Sequence, residues 1–326
     1  QLFRGQAHYV DIHTLVVYAA CVVLFYPWRY TMARMPRFLL PHRQTTYHVI
    51  SRTALDGYPL GDQEKSLLLG IIKDLSAVYF CEVLGFCIMG NHFHLLVTVL
   101  PEDEISDQEV QASFEQRYGD EYTLMSGQIP FYRQKWTSLS EYIKEIKQTF
   151  TRAYNKKRGR KGTFWAERFK SLIVEKGETL INCLAYIDLN PIRANLVDRP
   201  EDYRWSSLGY RFRAHKNDSF LSWNLGLKEY NVDSPRERLR LYRDFVYARG
   251  GMDTGKGKIL EAVPLPECVE RFVQRTRFFT EAGIIGSREF VRQGFEHFRD
   301  LIQPKRERRP HKIKGLEQVY SLKRLT

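Results

Sequence analysis

Cysteine is scarce in this 326-residue chain, and none of the five (Cys21, Cys81, Cys87, Cys183, Cys268) belongs to a CxxC pair. An odd, unpatterned set argues against a disulfide framework and fits reduced thiols in a cytoplasmic protein. Three of them lie in apolar stretches, the ordinary place for a buried thiol. The apolar run at residues 15–26 (LVVYAACVVLFY) falls short of the roughly 20 residues that cross a bilayer. Pro27-Trp28-Arg29-Tyr30, rather than a small-residue cleavage site, follows it. No stable membrane partner is therefore expected. Residues 1–31 read as an apolar extension outside the working protein, because Met32-Ala33-Arg34 looks like a natural start. A buried strand or helix and a signal-like segment are the alternatives for this stretch.

Acidic charge is also in deficit. Fifty Lys and Arg against 38 Asp and Glu leave a net charge of +12. Two segments hold the whole excess. Residues 141–170 carry ten Lys/Arg and three Glu, and residues 301–326 carry eight Lys/Arg and two Glu, so the remainder nets −1. Clustering of this kind points to a polyanionic partner more strongly than a basic average does. A hydrophobic fraction of 43% suffices for a sizeable core, in one large domain or two smaller ones.

The hydrophobic pattern predicts an α+β fold. Residues 45–53 alternate as a strand, and residues 62–79 repeat as a helix with Asp62 as its N-cap. Two β-rich runs, 80–89 and 92–100, flank Gly90-Asn91, a natural hairpin turn. Residues 101–130 are acidic and turn-rich at first and read as an insertion or mobile loop. Leu139, Tyr142, Ile143, Ile146, Phe150 and Tyr154 mark a helical face, with Lys144, Lys147, Arg152 and Lys156 opposite. A short strand at 169–174 and a helix at 179–189, stopped by Pro191, complete a β-α-β-β-α-β-α order. That order suggests helices packed on a mostly antiparallel sheet. Beyond about Ser219 the chain reads as helical and basic without repeats; Ser287 caps an amphipathic helix, and the last 20 or so residues read as a solvated tail.

His92 and His94 are two apart on a predicted strand, so both imidazoles leave on one face and could share a divalent ion. An isolated pair of this kind is more often structural. No Asp-His follows, as a binuclear hydrolase would want, so further ligands must come from elsewhere. Tyr186 and Asn190, four apart on a predicted helix, share a face. Asn190 offers a carbonyl oxygen to a hard cation. Tyr186 ordinarily titrates near ~10 and needs an activated target to act as a nucleophile. The alternative is a core tyrosine beside a helix-terminating Asn-Pro.

Residues 85–96 (GFCIMGNHFHLL) resemble the signature strand of the HUH single-tyrosine transposases. Residues 162–170 (GTFWAERFK) are similar to a second block in their REP-associated branch, and residues 185–194 (AYIDLNPIRA) and 203–207 (YRWSS) to two more. The match runs in order from about Met32 to Tyr210. It implies a ferredoxin-like sheet in a domain spanning 32–218, followed by a helical basic region at 219–326. It further implies cleavage of single-stranded DNA near hairpins, with Tyr186 joined to the 5′ phosphate and a free 3′-OH left behind. His92, His94 and Asn190 would hold Mg²⁺ or Mn²⁺. A related branch carries Gln where Asn190 stands; Asn is shorter by one methylene, and water would complete the coordination.

On that reading Lys156, Lys157, Arg158, Arg160 and Lys161 track phosphates, with Arg168 beside them. Trp165 or Phe164 is available to stack on an unpaired base, or is simply core. Arg34 and Arg37 would read a neighbouring duplex or its flanking bases. The partner is single-stranded or hairpin DNA, the setting cytoplasmic and nucleoid-associated, and monomer and homodimer both stay open. A domesticated binder of the same fold that no longer cuts is the main alternative. A hydrolase of small phosphoesters is a weaker one, because small substrates need no such basic footprint.

Overall fold

A computed structural model describes residues 37–215, 218–227, 232–250, 278–302, 309–313 and 318–323. Residues 1–31, Arg34, Cys21 and Cys268 fall outside the described residues. Cys81, Cys87 and Cys183 are free thiols.

The architecture is α+β. Strand β1 (Thr45–Arg52) and helix α1 (Asp62–Ser76) lead into the hairpin β2 (Cys81–Ile88) and β3 (His92–Val99). Helices α2 (Asp107–Tyr118), α3 (Ile129–Trp136) and α4 (Leu139–Arg158) precede β4 (Lys170–Val174). After it come α5 (Glu178–Asp188), α6 (Asn190–Arg193), α7 (Ser207–Arg213) and α8 (Pro235–Gly250). The last described part holds α9 (Phe278–Glu281), β5 (Ile284–Gly286), α10 (Arg288–His297), α11 (Arg299–Ile302), β6 (His311–Lys312) and β7 (Tyr320–Ser321).

The first four strands lie in the order β2-β3-β1-β4, the ferredoxin-like arrangement, all antiparallel. The sheet then continues through β5, parallel to β4, and through β7 and β6. Alternation explains the layering. Val49, Phe86, Phe93, Leu95 and Val97 are wholly buried; a side chain so buried contributes about 1.5–3 kcal/mol. Helix α4 forms because Leu139, Tyr142, Ile143, Ile146 and Phe150 recur at three- and four-residue spacing and are buried. Ser138 caps its start by accepting from the Glu141 N–H, and Gly159 ends it in the left-handed region at φ 58°.

Three expectations need correction. Asp62 is the first helical residue and Gly61 the N-cap, with no side-chain cap. Residues 101–130 are largely helical: Ser106 and Glu109 close a capping box on α2, and Val110 and Phe114 are buried. The C-terminal region is helical in part, but it also adds three short strands to the sheet. Its final segment is accordingly no solvated tail among the described residues, since Ile313, Val319 and Leu322 are buried.

Gly85 lets α5 approach the sheet. A Cβ there would lie 2.1 Å from Leu184 Cδ1. Asp188, at the end of α5, then fastens three helices. Its carboxylate accepts from Ser207 Oγ (2.8 Å), the Leu208 N–H (2.9 Å) and Tyr242 Oη (2.6 Å). Burial pushes this carboxyl up to about 6, against the pull of those donors. Asp188→Ala leaves buried donors without an acceptor and should lower stability by about 2–4 kcal/mol. Urea denaturation checks this; a midpoint unchanged from wild type would show that Asp188 does not hold α5.

Candidate active site

The register of β1 against β3 sets the site. Ile50 faces His94, Arg52 faces His92, and His48 faces Leu96. Paired residues share a sheet face, so His48, Ile50, His92 and His94 emerge together. Cys87 pairs with His94 and Lys170 with Ile50, bringing both to the same face. Helix α5 covers it through Gly85 and presents Tyr186 beside the histidines. The His92 and His94 ring centres are 5.1 Å apart, and His94 and Tyr186 are 5.9 Å apart. Asn190, one turn beyond Tyr186, lines the same cavity of about 490 Å³, together with Arg52, Arg168, Lys170 and Glu281. His92, His94, Tyr186 and Asn190 thus meet in one place.

The hydrogen bonds determine which imidazole nitrogens are free. The Phe279 carbonyl can only accept, so His48 donates to it from Nδ1 (2.7 Å). Neutral His48 then accepts at Nε2, and His94 donates to it from Nδ1 (2.9 Å). His94 Nε2 keeps a lone pair. His92 Nδ1 likewise donates to Asn91 Oδ1 (2.7 Å), leaving its Nε2 lone pair. Burial pushes His48 and His92 down to about 4, and His94 well below the ordinary histidine value, so all three are neutral near pH 7. Repulsion from Arg52 adds to the effect on His92.

These residues fit a divalent cation. Two neutral imidazole nitrogens with uncommitted lone pairs suit a ligand pair, and a side-chain amide oxygen could be the third donor. Asn190 Nδ2 donates to the Tyr186 and Ile187 carbonyls (3.0 and 3.1 Å), which leaves its Oδ1 available. Among the described residues no three His, Cys, Asp or Glu side chains form a cluster able to hold a metal. Two histidines and one amide would leave further positions of such an ion to water.

Tyr186 is buried, which pushes its phenol up to about 12. Arg193 opposes that shift. Its guanidinium sits 5.2 Å from the centre of the Tyr186 ring and donates to the Tyr186 carbonyl at 3.1 Å. Phe279 packs against the Tyr186 ring, 5.1 Å away between centres.

The basic residues divide into engaged and open groups. Arg158 pairs with Glu64 at 2.9 Å, and Lys157 donates to Gln63 at 2.5 Å. Arg160 donates to Asn155 Oδ1 and to the Thr163 carbonyl. Lys156 and Lys161 are exposed. A second cleft, of about 770 Å³, lies between α4 and residues 163–169 and is lined by Arg37, Lys144, Lys147, Arg152 and Arg168. It shares Glu167 and Arg168 with the tyrosine cavity. Arg37 stacks on Phe169 at 3.8 Å, donates to Ser140, and keeps its Nε buried without a partner. Burial and then Arg168 push Arg37 down to about 10; burial and then Arg37 push Lys147 down to about 8. Trp165 is 6% exposed, packs against Phe93, Phe150 and Phe164, and donates to the Lys147 carbonyl. Its ring floors this cleft and has no open face for a base; Phe164 is wholly buried.

No family model matches the chain. Over 155 residues, 45% of this chain and 74% of the other, it is 27% identical to the Haemophilus influenzae (strain Rd) protein called "Putative REP-associated tyrosine transposase". The chain resembles the REP-associated tyrosine transposases. A solved structure described as "Structure of the REP associates tyrosine transposase bound to a REP hairpin" is 17% identical, covers 59% of this chain and 93% of its own, and superposes with a TM-score of 0.38. Among the described residues no helix is long and apolar enough to cross a membrane.

In this transposase-like chain, sequence reasoning did not single out His48, Arg193, Arg52, Lys170 or Glu281. Arg193 lies seven residues from Tyr186, two helical turns, and that spacing was a usable signal. His48 carried none, because strand pairing is not written in its neighbours. The histidines also give a pH signature. Their folded-state values lie below the unfolded ~6.5, so the unfolded chain binds more protons between about pH 6.5 and 4. Stability should therefore fall with pH across that window. Asp188, raised in the fold to about 6, pulls the other way but is one group against three. Thermal melting with chelator present, from about pH 7 to 4.5, should show the loss, with a shallower profile for His48→Gln. Parallel profiles would exclude His48 as a contributor.

Proposed function

We propose that the chain is a divalent-metal-dependent single-stranded DNA endonuclease and strand transferase that acts near hairpins through Tyr186. The observation that carries this is that His92, His94, Asn190 and Tyr186 line one cavity. The four sequence blocks and the curated relative support the same class. A cytoplasmic, nucleoid-associated setting follows from this reading.

His92, His94 and Asn190 would hold Mg²⁺ or Mn²⁺, which supplies charge withdrawal from a non-bridging phosphate oxygen. Tyr186 Oη attacks phosphorus; the Tyr–O–P bond forms and the P–O3′ bond breaks. The phenol gives up its proton and the departing 3′ oxygen gains one, leaving a 5′-phosphotyrosine and a 3′-OH. The new phosphodiester conserves the energy of the old one, so a second 3′-OH can reverse the step without ATP. Arg193 stabilises the phenolate that the burial of Tyr186 disfavours. Arg52, Arg168 and Lys170 hold the phosphate against the sheet face, and the cleft beside α4 takes the strand leading to it.

A binder that no longer cuts is the second reading, favoured by the burial of Tyr186. Incubation with labelled single-stranded hairpin DNA and Mn²⁺ separates the two. The expected product is a protease-sensitive covalent adduct, lost with EDTA and with Tyr186→Phe; DNA retained without any adduct supports the binder. Normal cleavage by Tyr186→Phe would remove Tyr186 as nucleophile.

Salt dependence tests the path of the strand. Neutralising Arg37, Lys147 and Arg152 together should lower the slope of log K against log salt by about 2, at roughly 0.7 per single-strand phosphate contact. Neutralising Lys157 and Arg158, whose charges already face the Glu64 carboxylate, should change it less. The reverse ranking would place the strand on the end of α4.

A further inference from the structure

We propose that His48 is a positioning residue that fixes the tautomer of His94, so that His94 offers its Nε2 lone pair to the cation site. This rests on the reading of His92 and His94 as cation ligands.

The inference follows from donor and acceptor identity along a chain of three groups. The Phe279 carbonyl has no proton to give, so the 2.7 Å contact places a proton on His48 Nδ1. A neutral imidazole carries one N–H, so His48 Nε2 is an acceptor. The 2.9 Å contact to His94 then places the His94 proton on Nδ1. The ring centres are 5.1 Å apart, the separation expected when two imidazoles meet edge to edge through a 2.9 Å N–H···N bond. Both rings are buried, so water does not compete for these nitrogens. The other tautomer of His94 would aim two lone pairs at each other across 2.9 Å and turn an N–H towards the cation.

His92 shows the same logic in a weaker form. Asn91, half-buried and adjacent in sequence, orients it with a single contact. His94 instead depends on a residue of another strand and on a carbonyl 231 residues from His48. His48 therefore links the cation site to α9. A histidine ligand held through its second nitrogen is more basic and better oriented, and loss of such a partner commonly lowers metal affinity 10–100-fold.

Two substitutions separate polarity from packing. In His48→Gln the amide oxygen can accept from His94 Nδ1 while the amide N–H donates to Phe279. His48→Leu fills the space and does neither. The probe is Co²⁺, which binds nitrogen sites more tightly than Mn²⁺, titrated into the metal-free full chain. The expected result is an affinity within about threefold of wild type for His48→Gln and a loss of at least tenfold for His48→Leu. Equal losses in both, or no loss in His48→Leu, overturn the proposal.

Should His48→Leu not fold, imidazole ¹⁵N spectra of the metal-free wild type decide alone. A protonated Nδ1 and bare Nε2 on His94 support the assignment, and a protonated Nε2 overturns it. These readouts need no DNA. Absent cleavage alongside a bare His94 Nε2 counts against the endonuclease reading only; cleavage alongside a protonated Nε2 counts against the role of His48 only.

Discussion

The antiparallel pairing of β3 with β1 on one side and β2 on the other governs everything built on this sheet. It holds His48, Ile50, His92 and His94 on one face and sends Val49, Phe93 and Leu95 to the other. A slip of one residue would exchange the faces, putting imidazoles into the apolar layer under α1 and α4. The apolar side chains of β3 thus do more than stabilise the sheet. Their burial makes the slipped register costly, and so fixes where the histidines point.

A second constraint follows from the helix laid over that face. Gly85 lets α5 come close, and Asp188 pins its end to α7 and α8. Close approach dries the site, and drying explains its electrostatics. Burial depresses the histidines and raises the Tyr186 phenol, while Arg193 works against the rise. The imidazoles are thereby kept neutral and the Tyr186 phenol protonated. The cations around the cavity and in the neighbouring cleft outnumber the carboxylates there, so this surface carries a net positive charge.

Much of this was legible from local patterns. The β-α-β-β-α-β order, the turn at Gly90-Asn91, the two histidines on one face and Tyr186 with Asn190 all follow from periods of two and 3.6. Strands of two or three residues, such as β5, β6 and β7, are too short to show a period, which is why the C-terminal region read as helical throughout. The capping box at Ser106 and Glu109 was present in the sequence, but the acidic surroundings disguised the helix it opens. The basic run at residues 156–161 read as one footprint; only the fold shows Glu64 and Gln63 reaching two of its members. His48 lay beyond local reasoning altogether, because its significance comes from a register and from a distant carbonyl.

The docking of residues 278–286 has a consequence for biosynthesis. Phe279 reaches His48 and packs on Tyr186, and β5 joins the sheet alongside β4. A ribosome has made the four-stranded core long before it makes these residues, and domains generally begin to fold as they emerge. For that interval the chain has a sheet, both histidines and a tyrosine, but His48 has no carbonyl to donate to. The last contact of the site to form is thus among the longest in sequence, and a chain truncated before residue 278 carries every motif residue with the site unfinished.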